Sequence, residues 1–404
     1  MASHEPNKEL TVHTALPVPS ASQRDGDIPS FGIVSTFPPT SCGIATFSAA
    51  LAAGLIASGA SVDVVRCDPS PDLEDPLVLG SLADGERSYR RAVEVLNGAD
   101  VVIVQHEYGI YEGADGGAIV ELMAAIDAPL VVVAHTVVER PTANQRAVLQ
   151  RVCELADMVV VMTDAAQTRL VARFGVEPSK VMVIPHGAAT PVADPSGPDR
   201  AGGPARLLTW GLLGPGKGIE WAIDALGLLR DVSPAPVYVV AGATHPKVRQ
   251  QTGEAYREML VDRAAGTPGA HVEFDDAYRD LVSLTDLIRS ADLVVLPYDS
   301  RDQVTSGVLV DAVAAGRPVV STAFPHAVEL LASGAGIVVP QRDPVALAAA
   351  IRSIVTDPVV AAGMAAEARR LAPELSWPAV ARRYVGLAER LVGARRGGVA
   401  RRSS

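Results

Sequence analysis

The sequence predicts an α/β protein built from two doubly wound parallel sheets in series. Three observations carry that prediction. First, Val/Ile-rich runs of strand length, such as DVVIVQ (100–105) and PLVVVAH (129–135), alternate with helix-length segments. Runs that are apolar at nearly every position mark strands buried on both faces, as in a parallel sheet covered by helices. Second, the alternation stops at GAATPVADPSGPDRAGGPA (187–205), a Gly/Pro/Ala-rich stretch without periodicity, and then restarts. Such a stretch reads as a linker between domains. Third, 404 residues with 48% hydrophobic content are enough for two cores.

The first thirty residues are polar and Pro/Ser-bearing, and are expected to be disordered. A first domain then spans 31–190. It begins with strand 31–37, a Pro38–Gly43 turn and a helix over 44–58. Strand 61–67, a Pro/Asp-rich loop over 68–85 and a helix to Asn97 follow. Strands 100–105 and 129–135, helix 142–155, strand 158–163, another helix and strand 180–186 complete it. The linker is placed at 191–204 and the second domain at 205–374. That domain reads as strand 206–211, helix 217–230, strand 237–242, helix 247–265, strand 271–276, helix 280–290 and strand 293–298. A helix from Ser306 to Ala315, strands 318–322 and 337–340 and two Ala-rich helices over 344–371 close the domain. LSWPAVARRYVGLAERLV (375–392) is a last amphipathic helix, and a basic Gly-rich tail occupies 393–404.

A net charge of −11 argues against a general nucleic-acid binder. The three cysteines, Cys42, Cys67 and Cys153, are scattered and odd in number, which suits a reducing compartment and no disulfide framework. The sequence shows no apolar run of membrane-spanning length and no signal-peptide core. A cytoplasmic protein is expected, touching a membrane at most peripherally through its basic tail.

The stretch DSRDQVTSGVLVDAVAAGRPVVST, Asp299 to Thr322, organises the second domain. Thr305 or Ser306 is a suitable N-cap for the helix that follows, and Gly316 a suitable stop. The helix is apolar nearly all round, yet it carries one acid, Asp311. A buried carboxylate is costly unless something hydrogen-bonds it. Asp311 lies four residues after Gly307, on the same face, and Gly307 leaves that face open to a close visitor. Gln303 is positioned to point at the same mouth. With the free amides of the helix start, the stretch is suited to a polar ligand that carries negative charge.

Ligands of parallel sheets bind at the carboxyl ends of the strands, and several polar groups fall there. The loop GLLGPGKG (211–218) follows a strand and opens a helix, placing Lys217 where it can meet a diphosphate as a point charge. The turn at Gly43 also joins a strand to a helix and permits close backbone approach. His106, His135 and His186 all end strands. Their spacing matches no zinc pattern, so no metal is expected. His135 is the candidate to act on a substrate hydroxyl, whereas His186 reads as structural.

Taken together, these residues resemble the family-4 (group 1) retaining glycosyltransferases of GT-B fold, over about 31–392. Gln303 and Asp311 occupy the two ends of that family's Glu-x7-Glu motif, and VAAGRPVVST continues as the family does. Lys217 matches the family's diphosphate-binding lysine, His135 its N-domain histidine and Gly43 its glycine turn. Trp377 and the final helix match the segment that crosses back onto the N-domain. The chain departs from the pattern at three places: Gln303 and Asp311 stand where Glu is expected, and Leu212 stands near the place of a basic residue.

The resemblance implies two sheet domains facing across a cleft. It implies transfer of a hexose from a nucleotide-diphosphate sugar, of GDP-mannose or UDP-glucose type, to an acceptor hydroxyl of a glycan, lipid or small molecule. The configuration is retained, and neither a metal nor another cofactor is required. In that reading Asp311 holds the ribose, and Gln303 and His135 hold the transferred sugar. His106 also contacts the donor. Lys217, the Gly43 turn and the amides of Thr305, Ser306 and Gly307 hold the diphosphate. Acceptor contacts come from loops near 38–42, 68–88 and 107–117. A nucleotide-sugar epimerase, a sugar phosphorylase and a non-catalytic nucleotide-sugar-binding protein are the alternatives.

Overall fold

The computed structural model describes residues 28–40, 42–68, 75–83, 85–189, 203–277, 279, 281–300 and 302–402. Nearly all of the expected N-terminal tail and of the expected linker lies outside these residues, although 28–30 are described and Ser30 N–H donates to Asp100 at 2.9 Å. The first sheet is formed by β1 (Phe31–Ser35), β2 (Val62–Arg66), β3 (Val78–Ser81), β4 (Val101–His106), β5 (Leu130–Ala134), β6 (Met158–Val161) and β7 (Val181–Val183). It is parallel throughout, in the order β3-β2-β1-β4-β5-β6-β7. Helices α1 (Gly43–Ala57), α2 (Glu86–Asn97), α3 (Ile119–Ala124), α4 (Ala143–Leu155) and α5 (Asp164–Phe174) connect its strands.

The second sheet contains β8 (Arg206–Trp210), β9 (Val237–Ala241), β10 (His271–Asp275), β11 (Leu293–Leu296), β12 (Val319–Thr322) and β13 (Gly336–Val339). It too is parallel, in the order β10-β9-β8-β11-β12-β13. Its helices are α6 (Ile219–Gly227), α7 (Pro246–Thr252), α8 (Ala255–Gly266), α9 (Leu281–Ser290), α10 (Gly307–Ala314), α11 (Pro325–Leu331), α12 (Pro344–Val355) and α13 (Pro358–Leu375). Each strand order reverses beside the first strand of its sheet, which opens a ligand crevice at the carboxyl edge.

Alternate residues of the central strands feed two cores, one on each face. Val34, Val102, Val104 and Val132 pack with α4 and α5, whereas Ile33, Val101, Ile103 and Val133 pack with α1. The last helix, α14 (Trp377–Arg402), leaves the second domain and returns to the first. Its Val380, Tyr384 and Leu387 are buried with Phe47, Leu51 and Leu55 of α1. Gly54 makes this approach possible, because a Cβ there would lie 3.0 Å from the Ala381 methyl. The predicted two-sheet architecture and returning helix are therefore present.

Four local readings differ. Strand β3 lies within the expected 68–85 loop; it is a half-exposed edge strand and lacks a fully apolar run. The single helix expected over 247–265 breaks into α7 and α8 at Gly253, whose φ of +64° is left-handed. The short helices α3 and α11 were too brief for periodicity to reveal them. Helix α14 runs on to Arg402, through what reads as a basic tail, because no proline interrupts it. Among the described residues no single helix is long and apolar enough to cross a membrane.

Candidate active site

The loop carrying Lys217 is laced to the stretch that precedes α10. Asp299 N–H donates to the Gly216 carbonyl at 2.9 Å, and a Cβ on Gly211 would lie 3.8 Å from Val308. The Lys217 ammonium sits 4.5 Å from the centre of the Tyr298 ring, just beyond β11. Tyr298 in turn stacks on Phe324 at 5.2 Å. A cation held over an aromatic face is positioned without being neutralised, so Lys217 keeps its charge for a ligand.

Ser306 caps α10 by accepting from Leu309 N–H at 3.3 Å. Its own N–H donates to His326 Nδ1 at 2.9 Å. This corrects the expectation that the Ser306 amide is free for an anion; Gly307 and Val308 retain the open N–H groups of the first turn. The Thr305 hydroxyl is buried without a hydrogen-bond partner among the described residues. The Gln303 side-chain amide is folded back, donating to the Thr305 carbonyl, which leaves its oxygen as the group for a ligand. No group among the described residues hydrogen-bonds the Asp311 carboxyl, and burial pushes it up to about 7.

The close visitor at Gly307 is part of the same chain. A Cβ on Gly307 would stand 2.9 Å from His186 Nε2. His186 Nδ1 donates to the Gly187 carbonyl at 2.6 Å, which turns Nε2 and its lone pair toward α10. The Phe47 ring meets His186 and His135 edge-on, at 5.0 and 4.8 Å. His186 therefore packs between the two domains, which is a structural role. Its one signal in the sequence was its place at a strand end, shared with His106 and His135. Gly307→Ala is expected to push His186 away, with His186→Ala recovering part of the loss. A double-mutant cycle on urea midpoints should give a coupling of about 0.5–2 kcal/mol; strictly additive losses would show that the two residues do not interact.

His135 Nε2 donates to Gln105 Oε1 at 2.6 Å, so Nδ1 is the acceptor left to a substrate. Burial, reinforced by the fields of His186 and His106, lowers His135 to about 3. Burial likewise lowers His106 and His186 to about 4 and His326 to about 3. All four imidazoles are neutral near pH 7, so they add no positive charge to that of Lys217. His106 is 1% exposed and set edge-on to Tyr108, so the expected ligand contact through its side chain is closed. A Cβ on Gly43 would meet nothing within 4 Å, leaving the start of α1 open to close approach.

Further contacts hold the domains together. The Thr163 hydroxyl donates to the Val304 carbonyl at 3.0 Å, and Val304 itself is buried in the first domain's core. Glu329 accepts from Asp164 N–H and Ala165 N–H, both at 2.9 Å, and so caps α5 from the other domain. No group of three or more His, Cys, Asp or Glu positioned to hold a metal occurs among the described residues.

The family model described as "Glycosyltransferase Family 4" matches residues 42–190, and "Glycosyl transferases group 1" matches 204–357. The chain is 30% identical, over 57% of both sequences, to the D-inositol 3-phosphate glycosyltransferase of Kineococcus radiotolerans. It is 33% identical to the glycogen synthase of Mycobacterium tuberculosis over 44% of this chain and 41% of that one. The matches thus span only about half the length of these curated relatives. Among solved structures, sucrose-phosphate synthase from Thermosynechococcus elongatus superposes with a TM-score of 0.67 at 19% identity, covering 90% of this chain and all of that one. HepE of Anabaena, in complex with UDP and glucose, gives 0.65 at 16% identity, covering 88% and 98%.

Proposed function

We propose that this chain, which belongs to the family-4 (group 1) glycosyltransferases and has the GT-B fold, transfers a hexose from a nucleotide-diphosphate sugar to an acceptor hydroxyl with retention of configuration. The observation that carries the reading is the contact of His186 with Gly307 at the open start of α10, to which the Lys217 loop is laced, with Phe47 linking His186 to His135. As the C1–O bond to the diphosphate breaks, negative charge grows on the leaving group, and stabilising it is the main electrostatic task. Lys217 and the amides of Gly307 and Val308 are suited to that task. The acceptor oxygen attacks C1 on the face the diphosphate leaves, and its proton passes to a phosphate oxygen. No enzyme nucleophile and no metal enters this sequence. His135 Nδ1 accepts from a hydroxyl of the hexose, and the Gln303 oxygen accepts from another. The free thiols of Cys42, Cys67 and Cys153 support a cytoplasmic location.

The donor is of GDP-mannose or UDP-glucose type, and HepE with UDP and glucose on a similar fold supports the second. The test is a screen of nucleotide sugars for binding and slow hydrolysis. Saturable binding of one sugar, with acceptor-dependent release of nucleoside diphosphate, supports transfer. Isomerised donor, or no binding to any nucleotide sugar, would sink the proposal.

Asp311 provides a pH test of the ribose contact. The folded chain holds its proton up to about pH 7, well above the ordinary carboxylate range. Without ligand, this group lowers stability as pH rises from roughly 4 toward 7, because the folded state binds the extra proton. Ribose hydroxyls donating to the carboxyl favour its ionised form. Nucleoside diphosphate binding is therefore expected to release a proton at pH 6 and none at pH 8, with affinity falling below pH 7. Calorimetry in buffers of different ionisation enthalpy measures this directly, and equal proton counts at both pH values would argue against the contact.

A further inference from the structure

We propose that Lys247 is a second cation over the donor's diphosphate, taking the place that Leu212 leaves uncharged. The inference rests on the transferase reading above and deepens it. The start of α7 is built into the same loop system as Lys217. Leu213 N–H donates to the Ala243 carbonyl at 2.9 Å, and His245 N–H donates to the Leu213 carbonyl at 2.8 Å. These two bonds form a parallel bridge between Leu213 and Thr244, beside Leu212. Val248 closes the arrangement from the other side, where a Cβ on Gly214 would lie 3.1 Å from its methyl. The backbone that carries Lys247 is thus fixed to the backbone that carries Leu212 and Lys217.

The direction of the side chain is set by His245 and Pro246. His245 Nδ1 accepts from Lys247 N–H at 3.1 Å, and Pro246 opens the helix. The Lys247 ammonium then reaches the first domain, where a Cβ on Gly109 would stand 2.9 Å from Nζ. Gly109 has no left-handed φ, and its lack of a side chain leaves room for this approach. Among the described residues the Lys247 ammonium has no ion-pair or hydrogen-bond partner. Burial raises Glu107 and the field of Lys247 opposes that rise, while burial lowers His245 with the fields of Lys247 and Lys217 adding to it. Both ammoniums therefore act on one imidazole, in a cleft whose other histidines are neutral. Two unpaired cations on one rigid loop system suit a ligand with two adjacent phosphates better than a single carboxylate or a neutral sugar.

The test is calorimetric titration of UDP, GDP, UMP and GMP into the full chain, its Lys247→Met and Leu212→Arg variants and the double variant, with Lys217→Ala as reference. Lys247→Met should weaken the preferred nucleoside diphosphate about tenfold, the effect of one lost charged contact, while the monophosphate changes less than twofold. Leu212→Arg should restore most of that loss in the double variant. Unchanged diphosphate binding in Lys247→Met, or equal losses for mono- and diphosphate, would overturn the role of Lys247 while leaving the transferase reading in place. A wild-type chain that binds neither diphosphate would overturn both. Thermal unfolding of each variant, expected to match wild type at this exposed position, separates loss of contact from loss of fold.

Discussion

Lys217→Ala is expected to lower turnover at least tenfold without unfolding the protein. Tenfold in rate corresponds to about 1.4 kcal/mol of transition-state stabilisation, a modest demand on a charged group facing a departing diphosphate. The four imidazoles around the site are neutral near pH 7, so none can take over the charge. The Gly307 and Val308 amides contribute partial charge only, and the Ser306 amide is already given to His326. What Lys217 contributes to folding is smaller, because it makes a single cation–π contact, from a half-buried lysine to the buried Tyr298 ring, worth about 1 kcal/mol. Initial rates of nucleoside diphosphate release, with the donor and acceptor found by the screen, measure the effect. Thermal unfolding should show only a small shift. Near-normal turnover would remove Lys217 from leaving-group stabilisation.

The sheets were legible because strands such as β4 and β5 are buried on both faces and carry apolar residues throughout. Edge strand β3 was not, since its half-exposed pattern carries no such run. Within the site, Lys217 and Asp311 stood out as charges in places where apolar or turn residues prevail. What stayed hidden depends on how the two domains meet. His186 against Gly307, Glu329 capping α5, Val304 in the first domain's core and Lys247 beside Gly109 each join residues more than a hundred positions apart. No local pattern encodes such a distance. The sequence offered Gly307 as an open face, and only the fold shows that a histidine fills it. Likewise, Ser306 could be recognised as a cap, but the loss of its amide to His326 required both elements in place.

Gly218→Ala is expected to cost about 2–4 kcal/mol of stability and to disable the site with it. Gly218 caps α6 in a left-handed conformation, φ +66°. Alanine there carries a conformational penalty of roughly 1–2 kcal/mol. The larger difficulty is space, because its Cβ would fall 1.9 Å from the Pro297 carbonyl oxygen. That oxygen belongs to the backbone leading into Tyr298, the residue over which Lys217 is held, so relieving the clash separates Lys217 from its seat. Gly175 supplies an internal control. It has nearly the same φ, +69°, at the end of α5, but a Cβ there meets nothing within 4 Å. Gly175→Ala should therefore lose the conformational part alone, and its urea midpoint should stay well above that of Gly218→Ala. The gap between the two variants isolates the steric cost of the contact with Pro297. If both lose the same stability, the backbone at 297 yields freely, and the tight coupling of the Lys217 loop to the β11 edge is wrong.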